Sequence, residues 1–207
     1  MPRSAIHDRD VSVERAVRLF WSRGYHATSL KDVEQVLDMR PGSIYAAFGS
    51  KAGLFGKALE RYSRAISEDF VRATEAVESP VEGIRHYLRE VARACAGAGG
   101  SEAAWPTPGC MLVKTVLELG DEEPAIREQA NQVLAEVESL LTARLSEAKA
   151  RGELRPDVQP RRLARLLQAQ IMGLRVFAVR DVSPRAVREL GEDMGRIIDP
   201  YMAQGGR

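Results

Sequence analysis

Apolar residues recur along this chain at helical spacing, and no segment alternates at the two-residue period of a strand. From Arg9 to Gly24, Val13, Ala16, Val17, Phe20 and Trp21 fall on one face, and Gly24-Tyr25 supplies a stop. A shorter helix is predicted from Leu30, with Leu30, Val33, Val36 and Leu37 inward and Thr28 or Ser29 placing a side-chain oxygen on its free N–H groups. It ends at Asp38-Met39, because an aspartate adopts the left-handed conformation of a sharp turn at lower cost than most residues other than glycine. Pro41 suits the first turn of a third helix, running to about Phe48, where its missing N–H is not needed. Ile44 and Phe48, at i and i+4, face inward and leave Arg40, Gly42, Ser43 and Tyr45 outward. Phe20 and Trp21 are expected to pack on Leu30, Val33, Ile44 and Phe48, closing a small three-helix core.

A fourth helix opens at Ser50-Lys51 and continues through Leu54, Phe55, Leu59, Tyr62, Ile66 and Phe70 into the seventies. A fifth begins at Ser79-Pro80 and dissolves into Gly97-Ala98-Gly99-Gly100. Trp105-Pro106-Thr107-Pro108-Gly109 reads as a loop that ends in the start of a helix from Cys110 to Leu119. A long amphipathic helix spans about Pro124 to Lys149. The last two helices, roughly Pro160 to Val179 and Pro184 to Tyr201, are the most apolar of the set. The chain therefore reads as all-α: a three-helix helix-turn-helix domain in residues 1–50 joined to a larger helical domain in 51–207.

Composition narrows the function classes. The 207 residues with 44% hydrophobic content hold one core of good size or two small ones. A net charge of +1 neither demands nor excludes a polyanionic partner, so a localised basic tip decides that question. Two cysteines, no secretory n-region and no apolar run near 18 residues predict a cytoplasmic protein with reduced thiols and no membrane partner. His7, His26 and His86 are isolated, and no His-x-x-x-His, Cys-x-x-Cys, Gly-x-Ser-x-Gly or phosphate-loop spacing occurs. No catalytic site, no metal and no cofactor is predicted.

Two short helices about a tight turn, with small residues and a cation at the tip of the second, suit the DNA major groove. Tyr45 can donate its hydroxyl to a phosphate, and Lys51 adds charge beside the free N–H groups that open the fourth helix. Thr28-Ser29-Leu30, Pro41-Gly42-Ser43-Ile44-Tyr45-Ala46-Ala47-Phe48 and Gly49-Ser50-Lys51-Ala52-Gly53-Leu54-Phe55 resemble the DNA-binding domain of the TetR family of bacterial transcriptional repressors. Asp38 departs from that pattern, standing where the family usually has a glycine, and so does Arg40-Pro41. The resemblance implies a regulator, most simply a repressor, that binds pseudo-palindromic double-stranded operator DNA as a homodimer and is released by a small-molecule inducer. The implied DNA-contacting set is Thr28, Ser29, Arg40, Pro41, Gly42, Ser43, Tyr45 and Lys51. A dimer interface is expected on the last two helices, at Leu163, Leu167, Ile171, Leu174, Val187, Leu190, Met194 and Ile197.

Cys110 has a sharper chemical reading than the other residues. A thiol in the first turn of a helix is favoured as thiolate by free N–H groups and the helix dipole, and Lys114 at i+4 could add a cation. The segment Gly109-Cys110-Met111-Leu112-Val113-Lys114 is also similar to that of N-ethylmaleimide-repressor-like members of the family, which respond to electrophiles. The alternative is inert packing, with a reversible ligand pocket walled by His86, Trp105 and Phe177. A dimeric helical protein-interaction module without DNA binding is the competing class.

Overall fold

In the computed structural model, residues 3–97, 109–119 and 122–203 are described, with side chains from residue 9 onward. Trp105, expected in a ligand wall, lies outside the described residues, as does most of the loop around it. Among the described residues the chain forms nine α-helices and no strand. They are α1 (Arg3–Arg23), α2 (Leu30–Leu37), α3 (Pro41–Phe48), α4 (Lys51–Glu75), α5 (Pro80–Cys95), α6 (Met111–Glu118), α7 (Pro124–Ala150), α8 (Pro160–Phe177) and α9 (Pro184–Arg196). Proline opens α3, α5, α7, α8 and α9, where the absent N–H is no loss. The chain divides into two compact units, one of residues Met1–Ala65 and Cys110–Val133 and the other of Ile66–Gly109 and Leu134–Arg207.

The first unit holds α1, α2, α3, the start of α4, α6 and the start of α7. Its centre is aromatic: Phe20 meets Phe55 edge-on at 4.8 Å and Trp21 meets Tyr62 edge-on at 4.7 Å. Both ring partners lie on α4, which the sequence pattern did not include among the neighbours of Phe20 and Trp21. The difference has a plain cause: periodicity shows which face of a helix is buried but not which helix covers it. Val33, Leu37, Ile44 and Phe48 are buried as expected, while Val36 is 37% exposed and does not join them. Asp38 does take the left-handed conformation, with φ 54° and ψ 46°, and its N–H donates to Glu34 O.

The second unit pairs α5 with α9. Phe70 meets Tyr87 edge-on at 5.0 Å, and Arg85 ties the two helix ends by donating from Nε to Gly195 O at 3.3 Å and from Nη2 to Asp199 at 2.5 Å. The helices approach closely at Gly191, where an added Cβ would stand 2.3 Å from the Ala92 Cβ. On α8, Gln168 donates to Leu134 O at 2.6 Å, and Arg161 and Arg165 both bind Glu138 of α7, at 2.8 and 3.0 Å.

That close approach predicts opposite effects for one substitution at two positions of α9. Gly191→Ala places a methyl inside contact distance of Ala92 and should lower stability by about 1–3 kcal/mol, more than the helix-propensity gain of about 1 kcal/mol returns. Gly195→Ala, whose Cβ would meet Arg85 Cγ at an ordinary 3.6 Å, should be neutral or stabilising by up to about 1 kcal/mol. Urea-unfolding midpoints of the two variants check the pair.

Candidate nucleic-acid interface

Helices of eight residues, as α2 and α3 are, need support from outside themselves. At the start of α2, Ser29 and Asp32 form a reciprocal capping box: Asp32 N donates to Ser29 Oγ at 3.1 Å and Ser29 N donates to Asp32 Oδ2 at 2.8 Å. The Ser29 hydroxyl also donates to Asp32 Oδ2 at 2.6 Å, and Arg23, the last residue of α1, reaches Asp32 Oδ1 at 2.5 Å. These hydrogen bonds from Ser29, with the Arg23 cation behind them, lower the Asp32 carboxyl to about 2.

On α3, Ile44 and Phe48 are buried at 1% and 9% exposure, so the opposite face is turned to solvent. Arg40, Pro41, Gly42, Ser43 and Tyr45 are all exposed there. The helix N-terminus has no side-chain cap, Pro41 brings no N–H and Ser43 N donates to Arg40 O at 3.0 Å, so the Gly42 N–H and the helix dipole are what this end offers an approaching anion. Small residues at Gly42 and Ser43 let that end come close to a partner surface.

Three expected DNA contacts are differently engaged. Thr28 is fully buried and its hydroxyl donates to Gly24 O at 2.6 Å, so it folds the turn between α1 and α2 and does not present its side chain outward. The Ser29 hydroxyl is exposed but already serves the capping box. The Lys51 ammonium lies 4.2 Å from the centre of the Tyr25 ring; burial lowers its pKa, while the Glu118 and Glu123 charges oppose that shift. Tyr25 in turn donates to Glu123 at 2.6 Å, and burial together with that carboxylate pushes its phenol above the ordinary range.

The sequence pattern did not reveal the role of Glu118. From the last position of α6 its carboxylate accepts both Tyr25 N, at 3.1 Å, and His26 N, at 2.6 Å. Gly24 makes room for it: with φ +89°, any Cβ there would stand 2.5 Å from Glu118 Oε2. Lys114, one turn earlier, donates to Ser22 O at 3.1 Å. Lys114 was expected beside the Cys110 thiol; it instead satisfies a carbonyl at the end of α1. Cys110 is half-buried at the N-cap of α6, and Tyr62 Oη lies 3.9 Å from its sulfur. Cys95 is buried.

The other expected site residues lie in the second unit. His86 is half-buried on α5, and Phe177, also half-buried, has the Arg180 guanidinium 5.1 Å from its ring centre. Of the expected pocket wall, His86 and Phe177 thus share the second unit and Trp105 lies outside the described residues, while Cys110 and Lys114, expected as the alternative sensing pair, are in the first. Of the expected dimer contacts, Leu163, Leu167, Ile171, Leu174, Val187 and Met194 are buried in the protomer's own core, and only Leu190 and Ile197 are part-exposed. Buried side chains cannot offer a surface to a second copy, so those six positions are core and not interface.

A three-helix support that turns the N-terminal tip of a short second helix outward defines the helix-turn-helix class of DNA-binding proteins. Residues 13–58 match the family described as bacterial regulatory proteins, tetR family, and residues 88–191 match the tetracyclin repressor-like C-terminal domain. The HTH-type transcriptional repressor ComR of Escherichia coli K12 is 29% identical over 85% of this chain and 81% of its own length. A cysteine mutant of the TetR family regulator CifR, solved with a 26-bp double-strand operator DNA, is 30% identical with a TM-score of 0.80, over 90% of this chain and 94% of that one. Reduced NemR of E. coli has the same fold, with a TM-score of 0.80 at 20% identity over 97% of this chain and 100% of that one. The chain belongs to the TetR family and is a DNA-binding transcriptional regulator.

The α2 cap carries a pH dependence. The folded state holds the Asp32 carboxyl at about 2, below its ordinary value of 3.8, so the ionised form is favoured on folding. Its contribution is complete above about pH 4 and is lost as pH falls through the folded value. Asp32→Asn should abolish that part of the acid slope and leave stability at pH 2 close to wild type. Urea unfolding of both proteins at pH 5, 3 and 2 measures it.

Proposed function

We propose that the protein is a homodimeric repressor whose operator is read by α3 and whose release follows a small molecule bound by the larger helical part. The observation that carries the reading is the outward tip of α3, where Arg40, Gly42, Ser43 and Tyr45 are exposed while Ile44 and Phe48 anchor the helix from behind. ComR, named a transcriptional repressor, and the CifR complex with operator DNA support the direction of control and the kind of partner. In this reading residues 1–50 supply the DNA contacts and 51–207 supply ligand binding and dimerisation, without catalysis. No helix among the described residues is long and apolar enough to cross a membrane, in keeping with a cytoplasmic regulator.

Arg40 and Ser43 read bases, Tyr45 binds a phosphate, and Pro41 and Gly42 let the backbone approach the groove. The N-terminal turn of α3, uncapped by any side chain, adds its dipole to the phosphate contacts. Lys51 joins them only by leaving the Tyr25 ring. Control is a population shift: the inducer favours a dimer geometry in which the two recognition helices no longer match major grooves about 34–36 Å apart. A ligand pocket accounts for induction better than oxidation of Cys110, because the thiol is only half-exposed and the Lys114 ammonium is engaged with Ser22 O.

The dimer surface lies on the outer face of α8. Leu166, Ala169, Gly173 and Val176 are exposed there at three- and four-residue spacing, Val176 at 56%. Such a stripe, with small residues in its middle, lets a second copy of α8 approach closely.

Selection of bound genomic DNA, followed by binding assays on the recovered duplex, tests the reader. A paired, inverted half-site is expected, and absence of any sequence preference overturns the reading. Arg40→Ala should relax the preference at one position of each half-site, since an arginine-to-guanine contact is worth about 1–3 kcal/mol of discrimination. Tyr45→Phe should weaken binding to every sequence alike, as loss of a phosphate contact does. For the dimer, Val176→Glu should give a folded monomer by sedimentation with an unchanged helical signal. A Val176→Glu protein that stays dimeric removes α8 as the interface.

A further inference from the structure

We propose that Arg9 and Arg15 of α1 are positioning residues for sequence-specific DNA binding: they supply the cations that the C-terminal ends of α3 and α2 lack in their own sequence. The inference rests on the reading of α3 as the recognition helix. Neither α2 nor α3 carries a basic residue in its last turn. Each ends in carbonyls without a partner in its own helix, at the negative end of the helix dipole.

One face of α1 passes both ends. Arg9 Nη2 donates to Ala47 O at 3.0 Å, and its guanidinium lies 5.5 Å from the centre of the Phe48 ring. Arg15 Nη1 donates to Leu37 O at 3.4 Å, the last carbonyl of α2. Between them Ser12 places its hydroxyl 3.6 Å from the Met39 sulfur, in the turn that joins the two helices. Positions 9, 12 and 15 are spaced by three and share a side of the helix. The same face therefore holds the end of α3, the turn, and the end of α2. Glu14, on α1 as well, binds Arg61 of α4 at 2.5 Å, so the element that supplies the hold is itself fixed.

The consequence for DNA follows from lever geometry. A helix of eight residues, as α3 is, is a rod about 12 Å long. Arg9 holds one end of that rod and Arg40 to Ser43 occupy the other. Loosening the held end tilts the tip, and paired hydrogen bonds to base edges tolerate misplacement far less than a charge on a phosphate does. The arginines therefore act on the preference for the operator over other DNA without touching either.

The test uses the full-length dimer, the duplex recovered by genomic selection and a scrambled duplex of equal length, each across a series of salt concentrations. Arg9→Gln should weaken operator binding about three- to tenfold, the size of one helix-end charge with its hydrogen bond. Binding to the scrambled duplex and the salt slope of both should stay at the wild-type values. Arg15→Gln should act in the same sense and more weakly, given its longer bond, and Arg9→Lys should recover part of the loss. If Arg9→Gln instead weakens both duplexes equally and lowers the salt slope by about 0.9, Arg9 is a phosphate contact and the proposal fails. A lower melting temperature with unchanged operator preference in both glutamine variants shows stabilisation alone and also overturns it. If the wild type has no sequence preference, the recognition-helix reading fails first. Wild-type preference that survives in both variants removes only the role of α1.

Discussion

A helix of eight residues does not hold itself together in water, since nucleation costs more than one or two turns of hydrogen bonds return. The first unit depends on meeting that constraint at α2 and α3, each of eight residues, and again at α6. Both ends of α2 and the C-terminal end of α3 are taken up by groups outside the helix. The Ser29–Asp32 box and Arg23 close the start of α2, Asp38 in the left-handed region turns the chain, and arginines of α1 reach the carbonyl ends. The N-terminal tips of α3 and α6 are left without a side-chain cap. At α3 the uncapped end is also exposed, at Arg40, Pro41, Gly42 and Ser43, and such an end suits an anionic partner.

Charge around Tyr25 follows a second logic. Glu118 accepts two successive backbone N–H groups at the turn between α1 and α2, and Lys114 takes the carbonyl of Ser22 just before it. Together they satisfy two N–H groups and one carbonyl where α1 ends. Tyr25 then spans Glu123 at its hydroxyl and Lys51 at its ring face. At Lys51 burial lowers the ammonium pKa, and the Tyr25 ring face and the Glu118 and Glu123 charges offset only part of that cost. The reader is thus linked by direct bonds to α6, the helix that Cys110 caps.

In the second unit the apolar faces divide between two uses. The residues of α8 and α9 with the strongest helical period, from Leu163 to Met194, fill the protomer's core, and α9 is drawn onto α5 so closely that Gly191 admits no Cβ. What α8 shows outward is a narrower stripe of Leu166, Ala169, Gly173 and Val176. A stripe of that width fits a helix-to-helix contact and is too small to be a core of its own.

Much of this was legible from the chain by itself. Helical periodicity, proline at helix starts and glycine or aspartate at stops set the elements, and the motif from Thr28 to Phe55 pointed to the DNA-reading class, because those signals are local and depend on backbone geometry. The outward set Arg40, Gly42, Ser43 and Tyr45 followed from two anchors, Ile44 and Phe48, one turn apart. Tertiary structure alone decided what covers each buried face and what each long polar side chain reaches. Phe20 and Trp21 found ring partners on α4, Thr28 turned inward to Gly24 O, Lys114 left the thiol for Ser22 O, and Lys51 settled on Tyr25. The strongest apolar positions of α8 proved to be core, because a period marks a buried side without distinguishing the chain's own interior from a partner's surface. Residues 93 positions apart, as Tyr25 and Glu118 are, meet only after the whole unit has folded, and no local pattern along the chain encodes that meeting.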